Sequence, residues 1–159
     1  MADRRTPFAN TGEKATLLAF LDYLRESVVL KVDGLDETQA RWSPVPSGTS
    51  LLGLLKHLTM VEVAWFHWAF AGLDVPVPDG AVAEADALGP AAAAYRAAWA
   101  RSNELLAEAD DLDRLCARPG PAPQPMSLRW VLAHMVEETG RHAGHADIVR
   151  ELLDGTVGR

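Results

Sequence analysis

The chain has 159 residues, of which 48% are hydrophobic and 23% charged, and this suits one domain over 1–159 that folds without a disulfide or a metal. Its net charge of −7, without a basic run, argues against nucleic acid as a partner because phosphate backbones are bound by clustered Lys and Arg. The single cysteine excludes an internal disulfide. The N-terminus does not resemble a signal peptide, and no uncharged apolar stretch reaches about 18 residues, so we expect a cytoplasmic protein with no membrane contact.

A first amphipathic helix is predicted over 15–32. Its leucines and valines recur at spacings of three, four and seven residues, which places them on one stripe of a helix. Asn10, with Glu13 three residues later, is the candidate N-cap, and Gly34 is expected to end the helix. A single short turn is expected at 36–38.

The second predicted helix, over 50–71, is apolar nearly all round and should be buried on most sides. It follows a connection at 43–50 that contains two prolines and a glycine, and Thr49 or Ser50 is the expected cap. The segment that comes after it, 73–89, is predicted to be a long loop.

A third, alanine-rich helix is predicted over 90–110, with proline at its first position. A loop at 117–125, with five prolines and glycines among nine residues, separates it from a fourth helix over 127–153. Ser127 is the expected cap of this last helix and Gly155 its stop. No pattern of period two competes, so the sequence predicts an all-α protein, a four-helix bundle with long crossover loops.

Four ionisable side chains share one side of the fourth helix. A rotation of about 100° per residue places the other three within about 80° of His134: Glu138, His142 and His145. Apolar residues in the same sector mark it as the face turned into the bundle: Val131, Met135 and Val149. Unpaired ionisable groups on such a face would cost several kcal/mol, so we expect these four to have partners.

A metal site is one way to satisfy them. Glu138 and His142 are four residues apart, so one helix can offer both to the same ion. His57 lies on an apolar sector of the second helix, and the three together offer two nitrogens and a carboxylate, which suits zinc, nickel or ferrous iron with open positions. Two other interpretations stay open: an ordinary hydrogen-bonded core histidine at 57, and a buried salt bridge between Glu138 and His142.

The remaining candidates are expected to be structural. His67 is predicted to be partly exposed or bonded to a loop, and Glu62 and Glu137 to be solvated charges or to lie behind the ligands. The aromatic residues of the second helix are expected to form core or a dimer interface, with the lining of a substrate pocket as the alternative: Trp65, Phe66, Trp68 and Phe70. Cys116 has no base beside it in the sequence, so we do not expect a catalytic thiol there.

Two segments carry a family resemblance: PSGTSLLGLLKHLTMVEVAWF (46–66) and SLRWVLAHMVEETGRHAGHADIVRELLDG (127–155). They resemble the DinB-like four-helix-bundle superfamily, and most closely its actinobacterial branch, which includes mini-circle proteins and the metal-binding domain of mycothiol-dependent maleylpyruvate isomerase. The resemblance extends over essentially the whole chain and implies metal ligands at His57, Glu138 and His142. Many members have histidine where this chain has Glu138, and the isomerase-like branch has glutamate there.

The resemblance also implies thiol chemistry, in which a low-molecular-weight thiol such as mycothiol or bacillithiol is added to an electrophile or helps to isomerise it. A divalent ion lowers the pKa of a bound thiol, so that the nucleophilic thiolate exists at neutral pH. His134 or His145 is then expected to hold or relay a proton, or to orient a ligand. We therefore predict a metal-binding thiol S-transferase that uses zinc, or else nickel or iron, with mycothiol as cosubstrate and a small electrophile.

Two alternatives to this function stay open. One is a non-catalytic bundle that binds a metal for stability or sensing. The other is a helical interaction module that forms a homodimer through the aromatic surface of the second helix, and a homodimer is compatible with either of the other functions.

Overall fold

The computed structural model describes residues 5–8 and 11–157 of the chain. Its helices are α1 (Glu13–Leu30), α2 (Glu37–Arg41), α3 (Leu51–Glu62), a π-helical segment (Val63–Phe70), α4 (Leu88–Ala107) and α5 (Leu128–Asp154). The described residues form no strand, only an isolated bridge between Leu115 and Ser127. The predicted all-α bundle with long crossover loops is confirmed. No helix in the described part of the chain is long and apolar enough to cross a membrane.

The four long helices pack as two pairs, α1 chiefly against α5 and α3 against α4. Burial of their apolar stripes forms two hydrophobic clusters, one around Leu55 and Tyr95 and the other around Phe66 and Met135. Each long helix carries a buried polar residue near the point where one cluster gives way to the other: Arg25, Glu62, Ser102 and Glu138. The bundle therefore has polar groups inside it, and each of them needs a partner.

The predicted helix ends are confirmed where a serine caps the helix. The Oγ of Ser50 accepts a hydrogen bond from the backbone N–H of Gly53 at 3.1 Å, and the Oγ of Ser127 accepts one from Trp130 at 3.3 Å. These bonds satisfy backbone donors that have no partner within the helix. Gly155 ends α5 in the left-handed conformation, with φ of 76°.

Two other helices begin two residues earlier than predicted. α1 begins at Glu13, and the candidate cap Asn10 lies outside the described residues. α4 begins at Leu88 rather than at Pro90, because the carboxylate of Glu37 accepts the backbone N–H of Leu88 at 2.9 and 3.0 Å. Glu37 is 51 residues away in α2, so a tertiary contact caps this helix.

The second predicted helix has the expected extent, but its last part is π-helical over Val63–Phe70. A π-helix has more residues per turn than an α-helix, so side chains after Glu62 rotate by less than 100° per residue. A segment that is apolar nearly all round does not reveal this change of period. The direction of His67 therefore differs from the one that an α-helix would give it.

Candidate metal centre

The bundle brings together His57 from α3 with Glu138 and His142 from α5. The Nε2 atom of His57 lies 2.8 Å, and that of His142 3.1 Å, from the same carboxylate oxygen, Oε1 of Glu138. Ligand atoms from all three lie within 4.8 Å of one another, and no other described group of three His, Cys, Asp or Glu does this. Ligands at about 2.0–2.2 Å from a tetrahedral zinc ion are about 3.3–3.5 Å apart. The three side chains could therefore hold one metal ion after small adjustments.

Glu138 is held in its carboxylate form. Burial alone would raise its pKa, but the hydrogen bond from His57 and the charges of His142 and Arg141 outweigh burial, so the pKa of Glu138 lies below its ordinary value. Arg141 pairs with the other carboxylate oxygen, Oε2, which leaves Oε1 facing the two imidazoles. The sequence pattern did not single out Arg141, although its spacing of three residues from Glu138 was an available signal.

Burial favours the neutral form of His142. Burial lowers its pKa below the ordinary value, and the nearby carboxylate of Glu138 opposes this only in part. The ring of His142 meets that of His57 edge to face, with centroids 4.6 Å apart. A neutral imidazole and an ionised carboxylate are the forms that bind a divalent metal, so both pKa shifts act in the direction that metal binding needs.

The two catalytic candidates occupy different surroundings on α5. The Nδ1 atom of His145 lies 3.3 Å from Nδ1 of His142, next to the three-residue cluster. The ring of His134 instead stacks on Trp130, with centroids 5.0 Å apart, and meets the edge of Trp65 at 5.3 Å. His134 and His142 share a sector around the helix axis but differ in position along it. They are eight residues apart, which corresponds to about 12 Å along the axis of α5. Of the two candidates, His145 is the one that contacts the cluster.

Glu62 is buried, and the expectation of a solvated or ligand-supporting charge is wrong. Its side chain is 0% exposed and accepts two hydrogen bonds of 2.7 Å from the guanidinium of Arg25. Ser102 donates a third of the same length. The partners lie on different helices, 37 and 40 residues away, where periodicity carries no information. Glu137, by contrast, is 58% exposed, as expected of a solvated charge.

His67 is buried as well, rather than partly exposed or bonded to a loop. Its Nε2 atom lies 3.1 Å from the carbonyl oxygen of Ala98 and 3.2 Å from Oγ of Ser102, both on α4. Burial lowers the pKa of His67 below its ordinary value. The π-helical turn that contains His67 directs it towards α4.

The aromatic residues after α3 are core, as one of the expectations had it: Trp65, Phe66 and Phe70 are buried, and Trp68 is partly buried. Cys116 is also buried, and burial raises the pKa of its thiol. A thiol with a raised pKa is a poor nucleophile, which agrees with the expectation that Cys116 is not catalytic.

A cavity with both polar and apolar groups in its lining, which we call the polar cavity, opens beside the cluster. It has a volume of about 340 Å³, and His57 and His142 form part of its wall. Three hydroxyl side chains and several apolar or small residues form the rest: Ser47, Thr49 and Ser50, with Gly48, Gly53, Leu54, Gly80, Ala81 and Val82. A small polar molecule in this cavity would lie against two of the three side chains of the cluster.

Comparison with known proteins gives the family. The family model described as mycothiol-S-transferase matches residues 16–155. No curated protein matches the sequence. A DinB-like protein from Bacillus cereus is similar in structure, with a TM-score of 0.65, 20% identity and coverage of 91% of this chain and 95% of the other. A conserved protein from Enterococcus faecalis gives a TM-score of 0.62 and 19% identity, over 91% of this chain and 100% of the other.

At these identities the two structures show the fold alone, and that fold agrees with the bundle that the resemblance implied. The family match covers both segments that carried the resemblance and all three residues of the cluster. The chain belongs to the mycothiol-S-transferase family.

Proposed function

We propose that the protein is a metal-dependent thiol S-transferase, which joins a low-molecular-weight thiol of the mycothiol type to a small electrophile. The observation that carries the proposal is the convergence of His57, Glu138 and His142 beside a cavity whose wall includes both histidines, in a chain of this family. The thiol cosubstrate stays reduced only in a reducing compartment such as the cytoplasm, so we propose that the protein acts there. The homodimer stays a prediction, and light scattering after size exclusion tests it.

His57, Glu138 and His142 would hold the ion. Zinc is the proposed metal because it accepts imidazole and carboxylate ligands and keeps an open position in catalytic sites, while nickel and iron are the alternatives. A divalent ion bound there lowers the pKa of a thiol, so that a thiolate is present at neutral pH. Arg141 on Oε2 of Glu138 fixes the direction of the carboxylate.

His145 is proposed to move the proton. The thiol sulfur attacks the electrophilic carbon, and the sulfur–carbon bond forms as the bond from that carbon to the leaving atom breaks. The leaving atom keeps the electron pair and takes up the proton that the thiol gave to His145, so the step needs no other reagent. His134 remains a second candidate for this role, separated from the cluster by about 12 Å along α5.

Two glutamates that are adjacent in the sequence provide the test. Glu138→Gln removes a carboxylate of the cluster, whereas Glu137→Gln changes an exposed one. With zinc supplied, we expect the wild type and Glu137→Gln to bind one zinc ion per chain, and Glu138→Gln to lose affinity by more than about 100-fold. Elemental analysis and competition with a chromogenic chelator measure this.

The second half of the test is conjugation of mycothiol to epoxyhexane, followed by mass spectrometry of the product. We expect the reaction with the wild type and Glu137→Gln, and its loss in Glu138→Gln and in chelator-treated protein. Zinc binding without conjugation of any electrophile would favour a non-catalytic metal protein, and equal zinc contents in all three proteins would refute the metal centre.

A further inference from the structure

A second, apolar cavity lies next to the polar one. Its volume is about 300 Å³, which is within the range of small-molecule sites. Val45, Ile148 and Leu152 form its apolar wall and are 43%, 59% and 61% exposed. None of the described residues that line it is Asp, Glu, Lys or Arg. The cavity therefore suits a neutral, apolar group.

The turn at 43–50 separates the two cavities. Ser47 and Thr49 line both of them, and their hydroxyl groups share a hydrogen bond of 3.2 Å. The turn is closed by the backbone N–H of Gly48, which donates to the carbonyl of Val45 at 3.1 Å, and Gly48 has the left-handed φ of 80°. These bonds hold the turn, which forms the partition between the two cavities, in place without a ligand.

His145 links the apolar cavity to the metal centre. It lines the apolar cavity and contacts His142, which lines the polar one. Ile148 and Leu152 follow His145 by three and seven residues and so lie on the same face of α5. The apolar wall thus extends for about 10 Å from the candidate proton carrier.

We propose that this apolar cavity binds the hydrocarbon portion of the electrophile while the polar cavity holds the thiol. The inference rests on the proposed function. The polar cavity offers a water-soluble thiol the polar groups of Ser50, His57 and His142 in addition to the shared hydroxyl groups, whereas a hydrocarbon gains by leaving water for the apolar wall of the second cavity. The substrate class is therefore neutral electrophiles with a short alkyl chain or a single ring, and terminal epoxides are an example.

The geometry suits the opening of such an epoxide. The thiolate sulfur attacks the terminal carbon, the sulfur–carbon bond forms, and the carbon–oxygen bond breaks. The oxygen keeps the electron pair and takes up the proton that the thiol has lost, so the step needs no other reagent. The product is a hydroxy thioether that contains all atoms of the thiol and the epoxide.

A homologous series of epoxides measures the apolar contact. With mycothiol as the thiol, we expect kcat/KM to rise about twofold per added methylene from epoxypropane to epoxyoctane. This corresponds to about half the free energy of fully burying a methylene group, because the wall of the cavity is partly exposed. The rise should level off once the chain extends past Leu152. In Leu152→Ser, the ratio of kcat/KM for epoxyoctane to that for epoxypropane should fall about fourfold. Leu115→Ser is the matched control, since Leu115 is also 61% exposed and lies elsewhere.

Methyl NMR separates this inference from the proposed function. In metal-free protein, the unreactive probe 1-hexanol should shift the methyl resonances of Ile148, Leu152 and Val45, and leave those of Leu115 unchanged. These shifts without conjugation of any epoxide would support the apolar site and contradict the transferase. Conjugation without dependence on chain length, and without these shifts, would overturn the site and leave the transferase standing. A dimer that covers Ile148 and Leu152 in light-scattering and NMR experiments would overturn it too.

Discussion

Arg25 and Glu62 form a two-point ion pair inside the bundle, with Nε to Oε1 and Nη2 to Oε2 both at 2.7 Å and with both side chains 0% exposed. Neither charge reaches solvent, so each depends on the other and on its remaining hydrogen bonds. Ser102 supplies one of these to the carboxylate, and Asn103 and Asp22 accept from the guanidinium.

Removing one charge of this pair should destabilise the fold strongly. We expect Glu62→Gln and Arg25→Met each to lower the free energy of unfolding by about 3–5 kcal/mol, because each leaves a buried charge without its partner. The double variant Arg25→Met/Glu62→Leu should recover most of the loss. Urea unfolding measures all three.

Glu104→Gln is the control for this prediction, because Glu104 pairs with Arg101 on the surface. A pair of this kind contributes about 0–1 kcal/mol. Single variants of the buried pair that cost no more than Glu104→Gln would contradict the prediction.

The two catalytic candidates can be separated by matched substitutions. His145→Gln should lower kcat for thiol conjugation by about 100-fold or more with zinc content unchanged, because His145 lies beside the cluster. His134→Gln should lower the melting temperature, because it removes a ring that stacks on Trp130. The reverse pattern, with kcat lost only in His134→Gln, would assign the proton transfer to His134.

His67 should make stability depend on pH. Because burial lowers its pKa in the folded protein, the unfolded chain binds more protons near pH 6.5 and below. The contribution of neutral His67 to the free energy of unfolding is therefore fully present above about pH 6.5. It is lost as the pH falls towards the lowered pKa of His67 in the folded protein. Urea unfolding at pH 7.5 and pH 5.5 should show a smaller loss in His67→Gln than in the wild type, by at most about 1.4 kcal/mol per pH unit. Equal losses in the two proteins would count against this assignment.

Gly144 and Gly120 should respond to alanine in opposite directions. A Cβ at Gly144, inside α5, would meet nothing within 4 Å, so Gly144→Ala should stabilise the protein by about 1 kcal/mol. Gly120 has a φ of 64°, and a Cβ there would lie 2.9 Å from Cβ of Ala69, so Gly120→Ala should destabilise it by more than about 1 kcal/mol. Thermal unfolding measures both, and a destabilising Gly144→Ala would show that a neighbour or ligand needs the space.

The helices and the cluster residues were predictable because they follow from local periodicity. The stripe on α1 and the serine caps at 50 and 127 depend on residues within a few positions of one another. The pair of Glu138 and His142 could be identified in the same way, from a spacing of one helical turn. That His57 faces this pair was implied by resemblance, and the packing of α3 beside α5 brings it there.

What the sequence alone determined is therefore the set of helices, their apolar faces and the polar residues on those faces. The tertiary structure decided which of these polar residues meet: Arg25 with Glu62, His67 with α4, and His145 rather than His134 with the cluster. Periodicity gives an angle around one helix axis, but height along the axis and contact with another helix depend on how the helices pack. The partition between the polar and apolar cavities arises in the same way, because a turn before α3 reaches α5 only in the folded bundle.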